Sequence, residues 1–207
     1  MATNVRGRAT RQRLLDAAEQ VLASRGTDVT MEEVADAAGI TRSTVYRHVA
    51  SRDELITEVV LRSSRRAADR LVSVIDGPGP FADRLADAMV TAIGIIRDTP
   101  HLRAVVTAGD TGSRWPGIDP DDRFLDAVFA FFRPRLAAAV ADEGVVLRSD
   151  VDDTLDWLLR QALLPLLVSS RRGTDDDALR HDIATFVLPG ALAAGTTTAT
   201  GPGPARH

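Results

Sequence analysis

The chain has 207 residues, of which only 4% are aromatic, so a core for one or two domains has to be built largely from Ala, Leu and Val. Ala and Leu favour helices over strands, and the absence of cysteine excludes disulfides, zinc fingers, iron–sulfur clusters and thiol catalysis. The net charge is −4, yet residues 1–66 carry 11 Arg against 9 acidic residues while the remainder carries 14 Arg against 20, so the basic charge lies at one end, as a nucleic-acid footprint requires.

The amino-terminal residues are polar and basic, where a signal peptide would need an apolar segment. Residues 1–9 are predicted to form a flexible arm in which Arg6 and Arg8 could reach a minor groove or phosphates, with an unstructured tail as the alternative. The most apolar run, residues 158–168, is interrupted by polar side chains and is too short to span a bilayer. We therefore expect a soluble, cytoplasmic protein without a membrane partner.

Two short helices joined by a glycine turn follow a first helix that is predicted from Thr10 to Ser24. The second helix is predicted from Met31 to Ala38, and Thr30 and Glu33 have the spacing of a capping box at its start. Gly39 supplies the turn residue that best tolerates positive φ, and a third helix is predicted from about Thr41 to Val49. Two short helices with a glycine turn between them are the sequence pattern of a helix-turn-helix.

The third helix has one apolar and one polar face. Val45 and Val49 are four residues apart and are predicted to pack inward together with Ile40. The opposite arc carries a dense set of hydrogen-bond donors on a helix narrow enough to enter a major groove: Arg42, Ser43, Thr44, Tyr46, Arg47 and His48. On periodicity alone, an ordinary polar surface helix is an equal alternative.

A set of residues keeps a fixed spacing across these helices: Leu14, Ala17, Ala18, Leu22, Gly26, Val29, Thr30, Val34, Ala35, Ala38, Gly39, Ile40, Thr44, Val45, Tyr46, His48, Ser51, Arg52 and Leu55. In type and spacing they resemble the DNA-binding domain of the TetR family, over residues 10–56 and without a gap. Two positions depart from the family pattern but keep its chemistry. Val49 stands where Phe is more common, and Arg52 stands where Lys is usual.

The resemblance implies which side chains contact a double-stranded DNA operator. Four correspond to phosphate-facing positions that fix the register of the protein without reading sequence: Thr30, Tyr46, His48 and Arg52. Thr41 is also expected at the DNA, and four side chains project from the front of the third helix toward base edges: Arg42, Ser43, Thr44 and Arg47. Arg42 is the best candidate for a bidentate contact to guanine, whereas a phosphate contact is an equal alternative for Arg47.

A long fourth helix is predicted from Arg52 to about Ile75, and Gly77-Pro78-Gly79-Pro80 ends it. It is apolar at both ends and mostly polar from Arg62 to Arg70, as expected of a connector between two domains. Three regions are therefore predicted: a DNA-binding domain over 10–56, a helical ligand-binding and dimerisation domain over 57–192, and a disordered tail over 193–207.

The second domain is predicted to be helical apart from one loop over 110–120, with helices over 81–98, 100–108, 121–142, 150–170 and 174–188. Pro134 and Pro165 are expected to kink their helices, and Pro189-Gly190 to end the last one. The segment Leu155–Val168 is apolar around most of its circumference, so it needs a second partner. A twofold four-helix interface in a homodimer solves this problem and is similar to the dimerisation mode of the TetR family; in the alternative, both helices are central in a monomer.

Enzyme motifs are absent from the sequence: there is no nucleophile elbow, Walker loop, His-Glu-x-x-His or dinucleotide-binding glycine motif. The four His are scattered along the chain, so no metal site is expected. The acidic clusters stand at predicted helix starts, where capping and the helix dipole explain them. We therefore expect no enzyme, no cofactor and no metal.

The resemblance also implies a ligand cavity inside the second domain. Its candidate lining is mostly aliphatic and aromatic: Met89, Ile93, Trp115, Phe124, Val128, Phe131, Trp157 and Gln161. Ordinary core packing is the alternative for each of these residues. Such a lining favours a small, largely apolar effector with a few polar anchors.

These expectations describe an all-α protein with an N-terminal three-helix helix-turn-helix DNA-binding domain and a C-terminal helical ligand-binding and dimerisation domain. The function they imply is that of a ligand-responsive, homodimeric transcriptional regulator at the nucleoid. It would be a repressor that binds a palindromic operator and is released by its effector. The alternative is a non-gated DNA-binding or architectural protein whose C-terminal domain only dimerises.

Overall fold

A computed structural model describes the backbone of residues 2–107, 123–168 and 175–193, and side chains over 7–107, 126–168 and 175–193. Within these ranges the chain is helical, and extended pairing is limited to one antiparallel bridge between Leu147 and Leu192. The all-α prediction is confirmed. None of the described helices is both long enough and apolar enough to cross a membrane.

The helices follow one another in chain order as α1 Ala2–Arg25, α2 Met31–Ala38, α3 Arg42–Tyr46, α4 Arg52–Ile75, α5 Phe81–Asp98, α6 Pro100–Thr107, α7 Arg123–Asp142, α8 Val151–Leu167, α9 Asp176–Asp182 and α10 Leu188–Ala191. A 3₁₀ turn, Gly26–Asp28, connects α1 to the segment before α2, and a π-helical turn, Ile183–Val187, joins α9 to α10.

Side-chain caps begin several of these helices. Thr30 and Glu33 form the predicted capping box: the Glu33 N–H donates to the Thr30 hydroxyl at 3.2 Å, and the Thr30 N–H donates to the Glu33 carboxylate at 3.0 Å. The side chains of Ser51, Asp150 and Asp175 cap α4, α8 and α9 by accepting a hydrogen bond from the N–H three residues further on. These bonds confirm the capping role predicted for the acidic clusters at 150 and 175, and each cap contributes about 1 kcal/mol.

The head core, formed by the buried apolar side chains of α1 to α4, holds the first part of the chain together. Its most deeply buried members are at most 1% exposed: Leu14, Leu22, Val29, Val34, Val45, Leu55, Ile56 and Val59. Leu102 and Val105 of α6 also belong to this core. The helix α6, which lies well beyond residue 56, therefore stabilises the helix-turn-helix. The division of the chain into domains at residue 56 stays a prediction.

A second core lies among α5, α7, α8 and the C-terminal helical segment, with Ile75 at the end of α4 as part of it. Its fully buried members are Ile75, Phe81, Leu85, Ala86, Ala88, Met89, Ile93, Leu136, Ala139, Leu155, Leu158, Leu179, Ile183, Leu188 and Ala191. The helix α4 thus belongs to the head core at one end and to the second core at the other. This is the arrangement that its apolar ends predict.

Two predictions about the amino-terminal region are wrong. The flexible arm is absent, because α1 begins at Ala2 and continues to Arg25. The regular part of α3 ends at Tyr46 instead of continuing to Val49. The N–H groups of Arg47 and His48 donate to carbonyls three residues back, at 3.2 and 2.8 Å, so the last turn is tightened.

The predicted end of the last helix at Pro189-Gly190 is also wrong, because helical structure continues to Ala191. The π-helical turn Ile183–Val187 comes first, and the Leu188 N–H donates to the Ile183 carbonyl. Pro189 then falls in the first turn of α10, where its missing N–H costs little. The predicted loop over 110–120 and residues 194–207 of the predicted tail lie outside the described residues.

Candidate nucleic-acid interface and ligand cavity

Backbone geometry sets the angle between α2 and α3. Gly39 adopts φ +63° and ψ +39°, a left-handed conformation that costs glycine little. The Ile40 N–H donates to the Ala35 carbonyl at 3.0 Å and closes the end of α2. Thr41 caps α3 by accepting a hydrogen bond from the Thr44 N–H at 3.3 Å. The turn is therefore fixed by interactions within a few residues of Gly39.

The two faces of α3 and its last turn separate as the sequence predicts. Val45 is fully buried and Val49 is 3% exposed, both in the head core. On the other side, most of the predicted DNA-contacting side chains are exposed, and two are half-buried: Thr44 and His48. The exposed ones are Thr41, Arg42, Ser43, Tyr46 and Arg47. Buried valines thus orient a polar surface outward.

Contacts within α3 organise this polar surface. Arg42 lies over the Tyr46 ring, 5.6 Å from its centroid, and one of its Nη atoms is 3.5 Å from the Tyr46 hydroxyl. The hydrogen bond to Tyr46 raises the pKa of Arg42, which stays charged. Arg47 turns back along the helix and donates to the Thr44 hydroxyl at 3.0 Å. The two arginines therefore differ: Arg42 lies over an exposed ring, and Arg47 contacts the Thr44 hydroxyl, which is 2.9 Å from the capping hydroxyl of Thr41.

Two predicted phosphate-facing residues stand at helix starts on either side of α3. Thr30 is exposed at the start of α2, and Arg52 is exposed at the start of α4 with its Nε 3.3 Å from the Asp53 carboxylate. Near Thr30, a hydrogen bond from Arg25 and then those from Thr30 lower the pKa of Glu33. Helix starts offer N–H groups and a positive dipole end to phosphates.

Ion pairs join α4 to α1 between the two cores. Arg62 is 12% exposed and pairs with Asp16 and, at 2.8 Å, with Glu19. Arg66 reaches Glu19 at 3.1 Å, and Arg11 reaches the buried Glu58 at 2.5 Å. The sequence pattern predicts residues 62–70 only as a mostly polar run, without these partners. The available signal was the placement of Asp16 and Glu19 three residues apart, on one side of α1.

A buried polar contact joins α4 to α6. The Ser63 hydroxyl and the Nε2 of His101 lie 2.7 Å apart, and His101 is 9% exposed. Burial lowers the pKa of His101; Glu19 opposes this shift, and Arg66 and Arg62 add to it. His101 was counted only as one of the scattered histidines, so this contact was not predicted.

A cavity of about 280 Å³ lies among α4, α5, α6, α7 and α8. Its lining is almost entirely apolar: Val60, Leu61, Ser64, Arg65, Ala67, Ala68, Leu71, Ile75, Phe81, Leu85, Ala88, Met89, Ala92, Ile95, Ile96, Leu102, Val105, Val106, Ala127, Val128, Phe131, Phe132, Arg135, Leu136, Leu155, Leu158, Leu159, Ala162 and Leu163. The size is close to the lower end of ligand pockets, roughly 300–1,000 Å³.

The structure brings three of the eight predicted lining residues to the cavity wall: Met89, Val128 and Phe131. Ile93 is 1% exposed in the second core, and Gln161 is half-buried outside the lining. The Trp157 ring packs against Gly190 and its N–H donates to the Val187 carbonyl at 3.3 Å, which directs it away from the cavity. The side chains of Trp115 and Phe124 lie outside the described residues.

The comparison with known proteins identifies the kind of protein to which these features belong. Residues 14–59 match the family model described as bacterial regulatory proteins, tetR family. An HTH-type transcriptional regulator of Mycobacterium tuberculosis is 33% identical over 180 residues, which cover 86% of this chain and 83% of that protein. The chain belongs to the TetR family. It is thus a DNA-binding, helix-turn-helix transcriptional regulator.

Solved structures share the TetR-family fold over most of the chain. FadR from Bacillus subtilis, in complex with stearoyl-CoA, superposes with a TM-score of 0.68 at 15% identity and covers 87% of this chain and 98% of its own. RolR in complex with resorcinol gives 0.64 at 16% identity, over 89% and 90% of the two chains. AibR in complex with isovaleryl coenzyme A and operator DNA gives 0.57 at 16% identity, over 87% and 98%. At these identities the likeness extends to the fold alone.

The described part of this TetR-family chain contains no group of three or more His, Asp or Glu side chains arranged to hold a metal ion. Its two notable regions are the exposed polar surface of α3 and the apolar cavity. Both adjoin α4, which starts beside the polar surface of α3 and lines the cavity from Val60 to Ile75.

Proposed function

We propose that this regulator is a homodimeric, ligand-responsive repressor of the cytoplasm that binds a palindromic operator with two α3 helices. A small, largely apolar effector would fill the cavity and release the protein from DNA. The observation that carries the proposal is the double role of α4. Leu55, Ile56 and Val59 of this helix belong to the head core, and Leu61, Ala68 and Leu71 line the cavity.

The double role gives an effector a physical means of action. A ligand shifts an equilibrium only by its differential affinity for two states, and widening the cavity on its α4 side would move α4 relative to α5, α7 or α8. The ion pairs of Arg62 and Arg66 with Glu19 connect that movement to α1. FadR, RolR and AibR, which share the fold, contain small molecules in their structures, and this supports an effector here.

Support for the homodimer comes from apolar side chains on the C-terminal helices. Leu164, Leu167 and Val168 are 52 to 58% exposed, and Phe186 is 65% exposed. Large apolar residues that cluster on a surface mark interaction sites. A twofold interface would bury the same surface on both subunits. The test is sedimentation of Phe186→Glu, which is expected to be monomeric at concentrations where the parent chain is dimeric, with Val140→Glu on α7 as the matched control.

The operator itself is found by footprinting the full chain on genomic DNA, beginning with the region upstream of its own gene. The footprint is then repeated with a library of apolar small molecules. A protected palindrome that one compound releases is the expected outcome. Protection that no compound disturbs would contradict the gated repressor and favour a dimeric DNA-binding protein without an effector.

The roles of two arginines at the DNA can be separated once an operator is known. Arg42→Ala is expected to lose about 1–3 kcal/mol of discrimination between the operator and single-base variants, because it removes a contact to a base edge. Arg52→Ala is expected to weaken binding to all duplexes alike, because phosphates are the same in every sequence. Titrations on matched and substituted operators measure both effects; equal losses for the two variants on every duplex would contradict the assignment.

A further inference from the structure

The wall of the cavity carries positive charge without negative charge. Among the described residues that line it, the polar side chains are those of Ser64, Arg65 and Arg135, and there is no Asp or Glu. The Ser64 hydroxyl already donates to the Val60 carbonyl at 3.0 Å. The two guanidinium groups are therefore the polar features that a bound molecule would meet.

Arg65 differs from its neighbours on α4. Arg62 pairs with Asp16 and Glu19, and Arg66 pairs with Glu19, because these positions are four residues apart and face α1. Arg65 lies on the side of the cavity, is exposed, and has no carboxylate partner among the described residues. It is thus a cation at an apolar cavity that no described protein anion neutralises.

Arg135 is engaged with protein groups. Its Nη1 donates to the Phe131 carbonyl at 2.7 Å, and its guanidinium lies 4.2 Å from the centroid of the Phe131 ring. Its Nε is 3.4 Å from the Asp76 carboxylate, an ion pair in which this buried nitrogen makes no hydrogen bond to any described residue. These contacts hold Arg135 within the wall, so Arg65 is the better site for a charged group of a ligand.

The size of the cavity limits the apolar part of the ligand. A methylene group takes up about as much space as a water molecule in the liquid, roughly 30 Å³. A volume of about 280 Å³ therefore accommodates a chain of roughly nine or ten carbons. Lining side chains come from α4, α5, α6, α7 and α8, so such a chain would contact apolar groups of five helices.

We propose that the effector is an aliphatic chain of about ten carbons with one anionic head group, and that Arg65 binds that head group. This inference rests on the proposed function, since it names the chemical class of the effector at the same site. The charge of a cationic amphiphile would lie near Arg65 and Arg135, and the described lining has no carboxylate that could pair with it. A neutral alcohol would fill the cavity but would provide no anion to pair with Arg65.

The first experiment measures chain length by isothermal titration calorimetry of the full chain, without DNA, with straight-chain carboxylates from hexanoate to tetradecanoate below their micelle concentrations. The affinity is expected to rise about fourfold per added methylene and to stop rising near ten carbons, when the cavity is full. A rise that continues through fourteen carbons, or no binding of any member, would overturn the proposal.

The second experiment compares head groups on the same ten-carbon chain: decanoate, decanol and decyltrimethylammonium. Decanoate is expected to bind about fivefold tighter than decanol, because an exposed ion pair contributes a modest amount, and the cation is expected to bind most weakly. Arg65→Gln should bring decanoate and decanol to equal affinity, and Arg65→Lys should keep the preference. Arg70→Gln, an exposed arginine of α4 outside the cavity lining, is the matched control and should keep it too.

The outcomes separate this inference from the proposed function. Equal binding of decanoate and decanol to the parent chain, or loss of the preference in Arg135→Gln but not in Arg65→Gln, would overturn the assignment. Because Arg65→Gln should still bind decanol, that titration reports directly that the variant is folded. Selective binding of decanoate that leaves the operator footprint unchanged would support the ligand class and contradict the ligand-gated repressor.

Discussion

The helix-turn-helix and the apolar cavity are built from interactions of different range. In the head, Thr30 caps α2 through Glu33, Gly39 closes it with φ +63°, and Thr41 caps α3; every partner lies within five residues. The cavity is bounded by side chains of five helices that extend from Val60 to Leu163. The first can be predicted from neighbouring residues, whereas the second depends on how distant helices pack.

The contrast between the two regions predicts that substitutions in the head core lower the free energy of unfolding much more than substitutions on the cavity wall. Leu22→Ala, at a fully buried position of the head core, should destabilise the fold by about 2–5 kcal/mol, because it leaves a new void. Leu159→Ala on the cavity wall should cost at most about 1–2 kcal/mol, because the side chain is half-buried and already borders free space. Urea denaturation of the two variants measures the difference, and equal costs would contradict it.

Two glycines should respond to alanine with opposite signs. Gly39→Ala should destabilise by about 1–2 kcal/mol, because a Cβ is strained in the left-handed conformation although no atom lies within 4 Å of it. Gly94→Ala, inside α5, should stabilise by about 0.5–1 kcal/mol, because a Cβ there meets only an Arg97 nitrogen at 3.7 Å. Thermal unfolding distinguishes the two variants. A lower melting temperature for Gly94→Ala would contradict the open space that the structure shows around this position.

The smallest effect concerns pH and the contact between α4 and α6. Since burial lowers the pKa of His101 from its ordinary 6.5, the unfolded chain binds the proton more readily than the folded chain. The contribution of neutral His101 to the free energy of unfolding is therefore complete above pH 6.5. It declines as the pH falls through 6.5 toward the lower pKa of His101 in the folded chain.

Unfolding free energies between pH 7.5 and 5 test this dependence. His101→Gln should reduce the slope, and His181→Gln, at an exposed position of α9, is the matched control and should not. An unchanged slope in His101→Gln would show that groups other than His101 carry the pH dependence.

Helix boundaries were predictable where a local signal marks them. Both ends of α2, at Met31 and Ala38, and of α5, at Phe81 and Asp98, agree with the sequence to the residue, as does the span of α4. The errors lie where tertiary context changes the signal. The π-helical turn Ile183–Val187 places Pro189 in the first turn of α10, and no local sequence pattern predicts that turn.

By itself the sequence determined that the protein is helical, that α2 and α3 form a helix-turn-helix, and that Val45 and Val49 turn the polar side of that unit outward, because caps, turn residues and periodicity act over short distances. Tertiary structure alone decided which apolar residues line the cavity. Met89 and Ile93 occupy one face of α5 and both belong to the second core, yet Met89 also lines the cavity and Ile93 does not. It also decided that Arg62 and Arg66 have acidic partners while Arg65 has none among the described residues, since those partners lie on α1, more than forty residues away in the chain.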